Sequence, residues 1–185
     1  MSVRKFGAFE ASLAGLGAAL YAAIGYISWL GLYFYGVRFW PAVVVPSALA
    51  TLFGPLVGGL SAAIGIFLSD MAIHGMPLLS LSVGVPANFI AFYIVGALTN
   101  RESSILRLIL ANTLGLALGS LYIGLGLTVW SQYFFLPFKS ELTPLTLKAG
   151  LTIAAWTFAT EAPFLYLIVP PIVKTLSKSL AGGGA

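Results

Sequence analysis

Two ionisable side chains near the end of a long apolar stretch, Asp70 and His74, are the first residues that could carry chemistry. They are four positions apart, so a helix would place both on one face. Ionisable groups are costly within a bilayer, and those found there usually have a function. The pair could bind a ligand, or it could be a local hydrogen-bonded pair that caps the helix at the membrane surface, which is the more ordinary interpretation.

A dedicated metal site is not expected. Structural and catalytic metal sites use three or more protein ligands, and this sequence has one histidine and no cysteine. We also expect no cofactor.

Glu161 lies deeper in the predicted membrane. It follows the start of the last apolar stretch by about 14 residues, which a helix converts to ~20 Å. Trp156 and Thr160 lie on turns that lead outward from it. These residues could form a polar stripe that lines a ligand cavity, with Trp156 stacking on a ring. Equally, the glutamate could be protonated, or paired to a neighbouring helix for packing.

Three polar-tipped side chains fall at one predicted depth. Asn88, Tyr122 and Trp156 belong to different apolar stretches, each roughly 13 Å from the same membrane face. That agreement predicts the wall or floor of a pocket. Asn112, from the other half of its stretch, is expected to hydrogen-bond between helices.

The composition defines the elements that must position these residues. Hydrophobic residues make up 59% of the chain, charged residues 8%, and the mean hydropathy is +1.02. These values predict an all-α integral membrane protein with one compact six-helix domain at 9–178, a short segment 1–8 and a flexible tail 179–185. The predicted spans are 9–30, 42–53, 55–74, 79–99, 104–130 and 147–173, of which the second is too short to cross alone.

Basic residues predict the orientation of the spans. Six crossings place both termini on one side, which holds six of the nine basic residues. The positive-inside rule makes that side cytoplasmic. The six are Arg4, Lys5, Arg101, Arg107, Lys174 and Lys178, and the remaining three are Arg38, Lys139 and Lys148.

Two aromatic-rich loops lie on the predicted outer face, at 30–41 and 130–144. They contain Tyr35, Trp40 and Trp130, with Arg38 among them. An aromatic belt at the membrane surface is one explanation. Because both loops are long and on the same face, lids over an outward-facing binding site are the other.

The sequence lacks the motifs of several enzyme and transport classes. The sequence contains no P-loop, no Gly-x-Ser-x-Gly elbow and no His-Glu-x-x-His. It has no arginine ladder for voltage sensing.

Small residues recur in the first and third spans. The third opens with Gly54-Pro55-Leu56-Val57-Gly58-Gly59, and the first carries Ala14, Ala18 and Ala22 beside a second row of Gly15, Ala19 and Ala23. With the six-span plan and the short second span, this order resembles the substrate-binding S components of energy-coupling factor (ECF) vitamin transporters, over residues 10–175.

The resemblance implies a binding subunit in a prokaryotic cell membrane, and not an enzyme. Such a subunit captures a micronutrient from outside and works with a transmembrane coupling subunit and two ATPases. It implies lids at 30–41 and 74–79, a pocket in the outer half, and an Ala-x-x-x-Ala docking row at Ala14, Ala18 and Ala22. No histidines occur near the start, which argues against nickel or cobalt, and the abundant aromatics favour a ligand with a flat ring.

The predicted site therefore has three parts. The docking row is given above, and the lid residues are Tyr35, Arg38, Asp70 and His74. The ligand is expected to contact Trp40, Asn88, Tyr122, Trp130, Trp156, Thr160 and Glu161. Two other functions stay open at this point: a lipid- or isoprenoid-modifying enzyme with Asp70, His74 and Glu161 as acid–base groups, and a self-contained carrier.

Overall fold

The protein is an all-α bundle, as predicted. The computed structural model describes residues 6–28, 31–138 and 143–182. Its helices are α1 Ala8–Ser28, α2 Val44–Phe53, α3 Pro55–Ile73, α4 Pro77–Leu79, α5 Val85–Leu98, α6 Ile105–Trp130, α7 Leu147–Leu167 and α8 Val169–Gly182.

Five helical stretches in the described residues are long and apolar enough to cross a membrane. They are Ala8–Ser28, Pro55–Ile73, Pro77–Leu98, Ile105–Trp130 and Leu147–Gly182. A shorter apolar helix, Pro41–Phe53, corresponds to the predicted short second span. The orientation stays a prediction, and Arg4, Lys5 and Lys139 lie outside the described residues.

The bundle has two ends, which we name by what connects the helices there. At the turn end, short connections join α2 to α3 through Gly54, whose φ is +105°, and α5 to α6 through residues 99–104. At the hairpin end lie the connections that follow α1, α3 and α6. A two-stranded hairpin, β1 Tyr33–Phe34 and β2 Val37–Arg38, gives this end its name.

The hairpin was not predicted from sequence, which suggested only a loop. Tyr33 pairs with Arg38 and Phe34 with Val37. The two turn residues between them, Tyr35 and Gly36, have φ of +47° and +77°. A two-residue turn with positive φ at both positions matches the twist of the strands that it joins, and so closes a tight hairpin.

Prolines shape two other segments. Residues Ser80–Gly84 form a π-helical turn between α4 and α5, just before Pro86. Pro86 has no N–H to donate to the carbonyl of Ser82, and the Tyr122 hydroxyl donates to that carbonyl instead, at 3.3 Å. Tyr122 thus holds the helix distortion in place.

The last span is broken and longer than expected. Pro170 and Pro171 lack the N–H groups that would continue α7, and the helix is interrupted at Ile168. The expected flexible tail at 179–185 begins as helix, because α8 continues to Gly182. Residues 183–185 lie outside the described chain.

Candidate functional site

A cavity lies beneath the hairpin, between α1, α3, α5, α6 and α7. Its empty space, counted to the open mouth, is about 880 Å³. The lining is mostly apolar, with a few polar side chains from separate elements.

Asp70 is the centre of a polar cluster at the mouth. One carboxylate oxygen accepts a hydrogen bond from Arg38 Nη2 at 2.7 Å and lies 3.4 Å from His74 Nε2. The other oxygen accepts from the Ser80 hydroxyl at 2.7 Å. The cluster therefore ties β2 of the hairpin to α3 and to the π-helical turn, and we call it the latch.

The charged side chain of Arg38 is only 10% exposed. Its guanidinium lies 4.4 Å from the centre of the Trp40 ring. Burial lowers the pKa of Arg38, while the neighbouring carboxylate of Asp70 opposes that change. The predicted pairing of Asp70 with His74 is present, but the stronger partner of Asp70 is Arg38, from a segment 32 residues away.

Asn88 lines the cavity wall through a second polar pair. The Tyr21 hydroxyl donates to Asn88 Oδ1 at 2.7 Å, and Asn88 Nδ2 donates to the carbonyl of Gly84 at 3.0 Å. The Tyr21 ring packs edge-on against Trp40, with 6.0 Å between ring centres. This pair joins α1 to α5 and holds Trp40 at the cavity.

Glu161 lies deep in the cavity. It is about 14 residues, or ~20 Å, from the hairpin end of α7. Leu116 of α6 and Ala91 of α5 are at a similar depth and also line the cavity. Glu161 is 7% exposed, and within the described residues its carboxyl group makes no hydrogen bond or ion pair.

Three further polar atoms of the lining residues are buried without a partner in the described part of the chain. They are Arg38 Nη1, Trp40 Nε1 and Ser120 Oγ. Buried polar groups in native proteins are nearly always hydrogen-bonded, so three such atoms around one cavity indicate a missing partner. A ligand with hydrogen-bond acceptors would provide it.

Six of the predicted ligand and lid residues line this cavity. They are Arg38, Trp40, Asp70, His74, Asn88 and Glu161.

The structure places the other predicted ligand and lid residues elsewhere. Trp156 Nε1 donates to the carbonyl of Val37 at 3.3 Å, and its ring lies 5.6 Å from that of Phe34, so it supports the hairpin. Thr160 bonds the carbonyl of Trp156. Tyr35 forms the hairpin turn.

Trp130 and Tyr122 are also engaged outside the cavity. Trp130 Nε1 donates to the carbonyl of Phe135 at 3.1 Å, and Tyr122 bonds the carbonyl of Ser82. Both side chains therefore support local structure at the hairpin end.

Three polar residues that line the cavity were not predicted from the sequence: Tyr21, Ser80 and Ser120. Tyr21 had a usable signal, because it follows Ala14 and Ala18 by seven and three positions and so shares their helix face. That face is the buried one. The two serines had no distinguishing pattern.

Two of the three alanines proposed for docking, Ala14 and Ala18, face inward, and Ala22 is half-buried. Ala14 and Ala18 are 2% and 1% exposed, and Ala18 packs closely against Gly65 of α3. The neighbouring row of Gly15, Ala19 and Ala23 is exposed. Ala14 and Ala18 therefore pack within the chain, whereas the second small-residue row is exposed.

Comparisons with known proteins give one result. A family model described as ECF-type riboflavin transporter, S component, matches residues 8–178. Comparisons with curated proteins and with solved structures give no match. The described residues hold no group of three or more acidic, histidine or cysteine side chains that could bind a metal ion.

Proposed function

The chain belongs to the ECF-type riboflavin transporter S component family, and we propose that it captures riboflavin in the cavity beneath the hairpin. S components are membrane-embedded substrate-binding subunits for vitamin uptake, and they are not enzymes. This excludes the lipid-modifying enzyme that the sequence left open.

One observation carries the proposal for the site. The cavity under the hairpin has buried polar atoms without partners among the described residues, at Arg38, Trp40 and Ser120. The surrounding wall is mostly apolar and includes Phe92 and Leu116. A flat ring with carbonyl acceptors is complementary to such a lining, since its faces bury apolar area and its edges accept hydrogen bonds.

The hairpin acts as a lid in this proposal. It lies over the cavity and is fastened by the latch on one side and by Trp156 on the other. Release or entry of the ligand requires the hairpin to move, so the latch contributes to slow ligand dissociation.

Binding of riboflavin by the purified protein tests the proposal. We expect stoichiometric quenching of flavin fluorescence in detergent, with riboflavin recovered chemically unchanged. Thiamine and biotin, which lack the tricyclic ring, should not compete. An absence of flavin binding to protein that is folded and monodisperse contradicts the proposal.

The partner is proposed to be the ECF module, a transmembrane coupling subunit with two ATPases, in a prokaryotic cell membrane. S components associate with the subunits of that module. We place the docking contact on the exposed row of Gly15, Ala19 and Ala23, because small side chains let another helix approach closely.

A bulky residue in that row should separate binding from transport. Ala19→Trp is expected to abolish riboflavin uptake in cells that express the whole transporter while leaving riboflavin affinity unchanged. Ala155→Trp is the matched control, because Ala155 is exposed on α7, away from the row. Full uptake by Ala19→Trp contradicts the docking assignment. Uptake by this chain alone in vesicles without ATP contradicts the subunit role.

A further inference from the structure

Two buried acidic residues line the cavity, and they differ in their hydrogen-bond partners. Asp70 accepts hydrogen bonds from Arg38 and Ser80 and lies beside His74. Glu161 is 7% exposed and has no such partner in the ranges that the structure describes. An unpartnered buried acidic group is costly, so its presence at the cavity floor indicates that a ligand completes it.

A hydrogen-bond donor on the ligand would complete Glu161, because a carboxyl group has an accepting oxygen in either protonation state. Two of the other unpartnered atoms of the described lining, Arg38 Nη1 and Trp40 Nε1, are donors only, and they lie toward the hairpin. The third, the Ser120 hydroxyl, can donate or accept. The cavity is therefore complementary to a ligand with acceptors toward the hairpin and a donor at the floor.

Riboflavin has donors of two kinds, a ring imide N–H and the hydroxyls of its side chain. The surroundings decide between them. Around Glu161 the floor is made by Ala91, Phe92 and Leu116, which favour a buried ring. Near the mouth, Arg38 and His74 can hydrogen-bond hydroxyl groups.

We propose that Glu161 accepts the hydrogen bond of the ligand's ring imide N–H, and so selects flavins that carry this donor. The proposal rests on riboflavin being the ligand, and it makes Glu161 the residue that sets the depth and orientation of the ring.

A ligand series on the unmodified protein tests this first. Riboflavin has the imide N–H, 3-methylriboflavin has lost only that donor, and lumiflavin retains it but lacks the hydroxylated side chain. We expect N-methylation to weaken binding about 10–100-fold, because it removes the donor and leaves the buried carboxyl group of Glu161 unsatisfied. Fluorescence quenching measures all three.

Variants of Glu161 separate the lost hydrogen bond from a steric effect of the methyl group. Glu161→Leu has a similar size without an acceptor, so riboflavin and 3-methylriboflavin should bind it within about threefold of each other. Glu161→Gln keeps one accepting oxygen and should recover part of the preference. Glu102→Gln is the matched control, because Glu102 is exposed at the turn end, and it should keep the full preference.

The outcomes are distinct from those of the proposed function. The imide assignment is overturned if riboflavin binds tightly but N-methylation weakens binding by the same factor in the unmodified protein and in Glu161→Leu. It is also overturned if lumiflavin binding does not depend on Glu161, since the side-chain hydroxyls would then be the donors. If no flavin binds, both proposals fail together.

Discussion

The two halves of the bundle differ in how completely their buried polar groups are paired within the described chain. In the turn half, between α2, α5 and α6, such groups are paired with one another. Ser47 donates to Asn112 at 2.6 Å, Thr99 to Thr51 at 3.0 Å, and Arg101 to the carbonyl of Leu52 at 2.8 Å.

In the hairpin half, several polar atoms around the cavity have no protein partner in the described chain, although the latch and the pair of Tyr21 with Asn88 are hydrogen-bonded. Arg38 Nη1, Trp40 Nε1 and Ser120 Oγ are examples, and Glu161 joins them at the floor. Ser61 is an exception, because it is unpartnered yet lies toward the turn end. Paired groups fix one arrangement of the helices, whereas unpaired groups are available to a ligand. The turn half is thus the frame, and the hairpin half is the proposed binding region.

Close helix contacts make the frame rigid. A Cβ added at Gly96 of α5 would lie 2.5 Å from the Cα of Pro55, at the turn between α2 and α3. Backbone atoms cannot rotate aside as a flexible side chain can, so the contact tolerates only glycine. It brings α5 against the start of α3 and closes the turn end.

The largest effect is expected from breaking this contact. Gly96→Ala should lower the free energy of unfolding by about 1–3 kcal/mol, because the two backbones must separate. Gly15→Ala is the matched control, since nothing lies within 4 Å of a Cβ at Gly15. It should be neutral or slightly stabilising, because alanine favours a helix. Thermal unfolding in detergent compares the two.

Riboflavin affinity of the folded Gly96→Ala protein should change little if the frame and the binding region are separate. Equal stability of the two glycine variants would show that the close contact does not hold the turn end. A strong loss of affinity in a folded Gly96→Ala protein would remove the distinction between the halves.

The lengths of the helices could be predicted from sequence, but the directions of their side chains could not. Long apolar stretches define spans whatever their neighbours are, and the fold class was confirmed on that basis. On α1, by contrast, Ala14 and Gly15 begin two equivalent rows of small residues. Only the packing of α3 against α1 decides that Ala14 is buried and Gly15 exposed.

Depth along a helix predicted which residues line the cavity only where the side chain also points toward the cavity. Asn88 and Tyr122 were placed at one level, yet Asn88 lines the cavity and Tyr122 bonds the carbonyl freed by Pro86. The bond between Arg38 and Asp70 joins residues 32 positions apart through a hairpin. Such contacts depend on tertiary structure, and no local sequence pattern predicts them.

The smallest effect is expected from loosening the latch by one hydrogen bond. Ser80 is 1% exposed, and its hydroxyl donates to Asp70. Ser80→Ala removes that bond but keeps the contact between Arg38 and Asp70. A single buried hydrogen bond contributes about 0.5–1.5 kcal/mol. Riboflavin should therefore dissociate about 2–10-fold faster, with little change in its association rate.

A second serine of the same π-helical turn provides the control. Ser82 is exposed, and its hydroxyl bonds the carbonyl of Leu78 within the turn, away from Asp70. Ser82→Ala should leave the dissociation rate unchanged in stopped-flow fluorescence. Equal dissociation rates for the two variants would mean that the Asp70 cluster does not restrain the hairpin. A faster rate for Ser80→Ala alone would extend the contrast between the halves to their dynamics, because only the hairpin half must open for the ligand to leave.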